Sequence, residues 1–223
     1  MSTATKSPWG VTATSGGAKS EVPPAGSHPA VLVAIVDLGT HRETFKDEKN
    51  GERTADLRKV LFAWELTSEP MSGMKDSNHI MTRDYNVTFS NKSSLRKMVE
   101  GWRGKAFAEG EGFDVGVLLG KACLLTVTHA ESARGNTYAK IGGIAPLPKV
   151  MTAPPPKRKL TTWMESGSDE TELSWLPFLY GEPVADVVKR CLERTQSKQP
   201  SAVPPDPMQE AAQASDQDEE VPF

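Results

Sequence analysis

The chain opens its regular patterning at Pro29. From there to Gly39 (PAVLVAIVDLG) the residues are β-branched and almost wholly apolar, which predicts a well-buried strand. Thr40 to Asp56 is polar and charged, with Asn50-Gly51 as a hairpin turn signal. Arg58 to Leu66 (RKVLFAWEL) reads as a second strand: Val60, Phe62 and Trp64 share one face, and Lys59, Leu61, Ala63 and Glu65 the other. A third strand covers His79 to Phe89, with Met81, Arg83, Tyr85, Val87 and Phe89 on one side. The period then changes. Leu95, Met98, Val99 and Trp102 form the stripe of an amphipathic helix, with N-cap candidates across Ser90–Ser94 and Gly104 as C-cap. Phe113 to Gly120 suggests a short helical turn. Lys121 to His129 and Thr137 to Ile144 are the fourth and fifth strands, with a turn at Gly135-Asn136. Far downstream, Val184, Val187, Val188, Cys191 and Leu192 repeat at helical spacing after Pro183, and predict an amphipathic helix over 183–195. One such helix is not stable alone. It must pack on the body, on another subunit or on a partner.

The order strand, strand, strand, helix, strand, strand is that of the OB-fold, a five-stranded Greek-key barrel with a helix between strands three and four. The expected architecture is therefore mainly β, with a C-terminal amphipathic helix and disordered tails. Residues 1–28, rich in Ser, Thr, Gly, Ala and Pro, read as a disordered N-terminal arm with Trp9 as its one large apolar residue. Residues 29–149 make the barrel and 150–172 a Pro-rich, acidic linker, whose Pro154-Pro155-Pro156 favours an extended spacer. Residues 173–195 are a short helical segment, and 196–223 a disordered tail.

Composition fits this division. Hydrophobic content is 37%, low for a wholly globular chain, and 17 Pro and 18 Gly accompany it. The net charge of −3 conceals an asymmetry. Residues 29–159 carry 20 Lys and Arg against 15 Asp and Glu, whereas residues 160–223 carry 4 against 13. A mildly basic body bears a strongly acidic tail. Cys123 and Cys191 lie far apart in apolar settings and read as buried reduced thiols. There is no CxxC or closely spaced histidine pair, so no metal site is expected. His28, His41, His79 and His129 are dispersed. Gly101-Trp102-Arg103-Gly104-Lys105 lacks the spacing of a phosphate-binding loop, and no nucleophile elbow is present. No catalytic residue, enzyme activity or cofactor is expected. The N-terminus has no apolar core of a signal peptide and no apolar run reaches membrane-spanning length. A cytoplasmic protein without membrane contact is the default.

The chain ends Asp216-Gln217-Asp218-Glu219-Glu220-Val221-Pro222-Phe223. This resembles the acidic tip of bacterial single-stranded DNA-binding proteins, which docks onto basic, hydrophobic pockets of replication and repair enzymes. The resemblance implies partner binding through Asp216, Asp218, Glu219, Glu220, Val221, Pro222 and Phe223. The chemistry suits it: Phe fills an apolar slot, its carboxylate pairs with Arg or Lys, and the acids steer. The alternative is a solvated acidic tail. A second resemblance runs through Val31, Asp37-Leu38-Gly39, Trp64-Glu65-Leu66, Tyr85, Ser94-Leu95-Arg96-Lys97, Gly101-Trp102-Arg103-Gly104, the Leu119–Leu125 stretch and Pro146-Leu147-Pro148. Over residues 29–150 these look like small phage proteins regarded as OB-fold single-stranded DNA-binding proteins. Together the two imply a phage protein acting in DNA replication, recombination and repair in the host bacterial cytoplasm. Its partners would be single-stranded DNA and replication or recombination enzymes, with a homo-oligomer compatible.

Single-strand binding needs cations along a groove and aromatic faces for bases. OB-folds commonly use strands two and three with the loops joining strands one–two and four–five. Mapped here, the candidates are Arg42, Phe45, Lys46, Arg53, Arg58, Lys59, Arg83 and Tyr85, with Arg134, Tyr138 and Lys140 from the last hairpin. Lys157-Arg158-Lys159 has two readings, phosphate contact or solvated basic linker. Phe62, Trp64 and Trp102 lie on apolar stripes and read as core. Tyr85 and Tyr138 have a core reading beside the stacking one. Five acids, Glu43, Asp47, Glu48, Glu52 and Asp56, share the first loop with its cations, which favours a protein-interaction adaptor as the competing function. An RNA-binding OB protein is a third possibility, weakened by the lack of closely spaced aromatic motifs.

Overall fold

The computed structural model describes residues 21–47, 51–72, 76–132, 135–164 and 169–196. Arg134 and the tip 216–223 lie outside the described residues. Six strands form one sheet: β1 (Gly26–Asp47), β2 (Gly51–Pro70), β3 (Asn78–Asn86), β4 (Ala122–Glu131), β5 (Thr137–Ala145) and β6 (Thr161–Trp163). The pairing order is β3-β2-β1-β4-β5, antiparallel throughout, while β6 lies parallel to β1. The chain is thus mainly β. The sheet is open: among the described residues no ladder joins β3 to β5. Five strands were expected, and the sixth comes from the stretch read as linker.

The long β1 explains how one sheet acquires two buried faces. Bulges fall between Leu32 and Ala34 and between Asp37 and Gly39. A bulge inserts one residue and reverses the alternation of faces. Ala30 and Leu32 therefore share the inner core with Ile35, while Ala34, Val36 and Leu38 point to the other side. The first bulge also changes the neighbour on the far edge. Residues 26–31 pair with β4, and residues 34–36 pair with β6. Between these stretches the amide of Leu32 donates to Lys121 and its carbonyl accepts from Gly120. From Gly26 to Val36 that edge therefore meets three different partners.

The inner face packs Phe62, Trp64, Met81, Tyr85, Leu125 and the helix α1 (Ser94–Arg103) into one core. α1 follows the expected stripe: Ser93 caps it through the amide of Arg96, and Gly104 ends it at φ 66°. Trp102 donates from Nε1 to the carbonyl of Ala122, and Arg96 donates to the carbonyls of Phe107 and Ala108. The short turn expected in 113–120 is a single 3-10 turn, Val115–Leu118.

The outer face of β1 and β2 is covered by the C-terminal segment. Trp163, Leu173, Leu176, Leu179, Val184, Val187 and Val188 bury Leu61, Ala63, Val36 and Leu38. The apolar stripe expected as one helix is broken into α2 (Val184–Lys189) and α3 (Leu192–Gln196). It packs on the body. Gly39 permits this approach, since its φ is 76° and a Cβ there would stand 2.6 Å from the Cβ of Cys191. Residues 150–164, expected as a spacer, are anchored as well. The fully buried carboxylate of Glu65 accepts from the amides of Lys157 and Arg158 at 2.8 and 2.9 Å, and from the side chain of Asn78. An unpaired buried carboxylate would be costly, and these donors are what hold the segment down.

At the other end, β1 starts at Gly26 rather than Pro29, and residues 21–25, expected as part of a disordered arm, make contacts with the body. Glu21 accepts from the amide and hydroxyl of Ser72, and His129 bonds the carbonyl of Pro23. Both cysteines are free and buried, and burial pushes the Cys123 thiol well up. No helix among the described residues is long and apolar enough to cross a membrane.

Candidate nucleic-acid interface

The stretch Thr40 to Asp56, read as a loop, is a two-stranded arm over its described residues. β1 and β2 stay in register from Thr40↔Arg58 to Asp47↔Gly51, beyond the reach of the other strands. Directly opposed residues share a face. One face presents Arg42↔Asp56, Thr44↔Thr54 and Lys46↔Glu52; the other presents Glu43↔Ala55 and Phe45↔Arg53. Two of the acids noted in the sequence, Asp56 and Glu52, are thereby placed against Arg42 and Lys46. Arg42 grips Asp56 with two parallel bonds of 2.8 and 3.0 Å, which hold the Asp56 carboxyl below its usual range and raise the guanidinium. Lys46 and Glu52 are 3.9 Å apart and largely exposed, so that pair is weak. Arg53 has no carboxylate partner among the described residues and stands beside Phe45, which is 44% exposed.

Two candidate cations are tied down nearer the body. Arg58 is paired with Asp37 at 2.6 Å. Lys59 is only 6% exposed. Its amine bonds the carboxylate of Glu43, the hydroxyl of Tyr180 at 3.1 Å and Asp84 at 3.5 Å. Burial alone would lower its pKa, but the bonds to Glu43 and Tyr180 and the charge of Asp84 raise it instead. Tyr180 also donates to Asp84, and burial pushes its phenol up to about 12. Lys59 is thus a structural cation, and the expectation that it meets phosphate is corrected.

Tyr85 requires the same correction. It is 3% exposed, packs against Phe62 at 5.8 Å between centroids, and burial pushes its phenol up to about 12. No face remains for a base. Above it lies Arg83, exposed, with its guanidinium 5.2 Å from the Tyr85 ring centre and 3.5 Å from the carbonyl of Ile141. Arg83 thus bridges the gap between the two free ends of the strand path, β3 and β5. A cleft of about 340 Å³ opens there, lined by Arg83, Lys97, Ser94 and Gly143 among others. On β5, Tyr138 is 47% exposed and Lys140 is exposed two residues along, on the same face.

The chain matches no protein-family model and no curated protein. The site therefore rests on its own geometry. Of the eleven expected residues, Phe45 and Arg53 share one face of the arm with Lys46 on the other, and Arg83, Tyr138 and Lys140 stand exposed on β3 and β5. Arg42 and Arg58 sit in ion pairs, Lys59 and Tyr85 are buried, and Arg134 lies outside the described residues. The sequence left Trp175 and Phe178 without a role, and Arg158 with two. Here Phe178 is 68% exposed, and the Arg158 guanidinium lies 5.2 Å from the Trp175 ring centre. A run of apolar residues broken by Pro177 was the only signal. Among the described residues no group of His, Cys, Asp or Glu is placed to hold a metal ion.

Proposed function

We propose that the chain is a non-enzymatic single-stranded DNA-binding protein built on an OB-type barrel. The observation that carries this is the exposure of cations and aromatics together at the two places where such a barrel takes a strand. Phe45, Lys46 and Arg53 project on the arm between strands one and two, and Tyr138 and Lys140 on the hairpin between strands four and five. Barrel order is supported by α1 lying between β3 and β4 in sequence, and by Arg83 of β3 reaching the β5 carbonyl of Ile141. Contact is with backbone phosphate and base faces, so binding is independent of sequence and falls with salt. The acidic tip recruits replication or recombination enzymes, consistent with its apolar end and its charge opposite to the body's.

The ion pairs of Arg42 and Arg58 favour one competitor, an adaptor whose barrel binds protein only. Substitution of Lys46, Arg53 and Lys140 together by alanine separates them. For DNA binding, the slope of log affinity against log salt on oligo-dT should fall by about 2, since each single-strand phosphate contact contributes roughly 0.7. An unchanged slope would remove these residues from the interface. Matched oligo-U in the same titration tests the RNA alternative.

A further inference from the structure

Three segments distant in sequence meet beside β3. Tyr138 of β5, Trp175 and Phe178 of the C-terminal segment, and Arg158 line one groove of about 570 Å³ with Ile80 and Thr82. Its volume lies within the roughly 300–1,000 Å³ of ordinary ligand pockets. Phe178 and Tyr138 are 68% and 47% exposed, and the Arg158 guanidinium is already laid over Trp175. Lys159 follows Arg158 and Lys140 follows Tyr138 by two, both exposed. The acid in the groove, Glu21, is occupied: its carboxylate accepts from Ser72 at 2.7 and 2.8 Å, and these bonds hold its pKa low. Aromatic faces flanked by three cations, with the one carboxylate bonded to local donors, fit a chain of flat uncharged rings joined by phosphates.

We propose that this groove is a base-stacking site for single-stranded DNA, and that the C-terminal segment supplies half of it through Trp175 and Phe178. The proposal rests on the single-strand reading above. The segment covers the outer face of β1 and β2 and so closes the middle of the surface that OB-folds commonly use. Bases are displaced to its rim, where Phe178 and Tyr138 stand. Each base–aromatic stack strengthens binding without adding charge.

The test uses the full chain with Phe178→Ala and Tyr138→Ala, two exposed positions. Affinity is measured on fluorescein-labelled oligo-dT and on an abasic oligomer of equal length. Each variant should bind oligo-dT roughly tenfold more weakly with an unchanged salt slope. On the abasic strand each should match the wild type. Wild-type affinity of both variants for oligo-dT would overturn the stacking site while leaving the single-strand reading intact. Equal losses on both strands would overturn it too, because general damage rather than lost stacking would then be the cause. A wild-type chain that binds neither strand would remove the single-strand reading, and the groove proposal with it.

Discussion

Lys59 shows how a strand position can look like a binding residue and act as a brace. Alternation assigned it correctly to the face opposite Phe62 and Trp64, but alternation cannot say what covers that face. Tyr180, distant in sequence, brings a hydroxyl to it, and Glu43 and Asp84 complete the cluster. Lys59→Ala should therefore destabilise the fold by roughly 3 kcal/mol, the lower end of the range for breaking a buried pair, because both carboxylates are part-exposed. Urea unfolding reads this as a lower midpoint. The salt slope on DNA should stay unchanged; a reduced slope would return Lys59 to the interface. Glu193 gives a second prediction at this scale. Burial would raise its carboxyl, yet the hydroxyl and amide of Thr40 both donate to it and bring it down to about 2. A carboxyl lowered in the folded state adds stability that is complete above its ordinary value of 4.5 and is lost as pH falls toward 2. Wild type should lose more thermal stability than Glu193→Gln across that window. Parallel loss would show that the Thr40 bonds do not matter.

At the scale of elements, the helix α1 and all five expected strands were legible, because each depends on a local period that a dozen residues can carry. The stripe Leu95, Met98, Val99 and Trp102 and its caps reappear unaltered. The strand extensions were not legible. Thr40 to Asp56 is polar since both faces of the arm's described residues meet water, and polarity was read as loop. The anchored segment 150–164 was hidden for another reason: its attachment is a backbone contact to Glu65, and backbone donors leave no trace in side-chain pattern. Its strand β6 is three residues long, with Trp163 fully buried. Trp163→Ala should cost about 3–5 kcal/mol, as aromatic-to-alanine changes in cores do. Glu65→Ala should increase amide exchange across 157–163 before the rest of the sheet opens. Uniform exchange in that variant would contradict a local anchor.

At the scale of the whole molecule, the boundary expected at residue 149 parts one face of the sheet from the segment that covers it. A chain ending at residue 149 would expose Ala34, Val36, Leu38, Leu61 and Ala63 on one continuous face. Such a truncation should aggregate or bind a hydrophobic dye, whereas a chain ending at residue 196 should remain folded. A stable, monomeric 1–149 fragment would show that the C-terminal cover is dispensable. The charge division has its own consequence. Removing Asp216–Phe223 should leave DNA affinity equal or higher, because acids that compete for the cations are gone, while partner binding is abolished. The most direct measurement is titration of the tip-deleted chain with labelled oligo-dT at low and at moderate salt. Single-strand binding predicts clear association at low salt and a steep loss as salt rises. No association at low salt would contradict it.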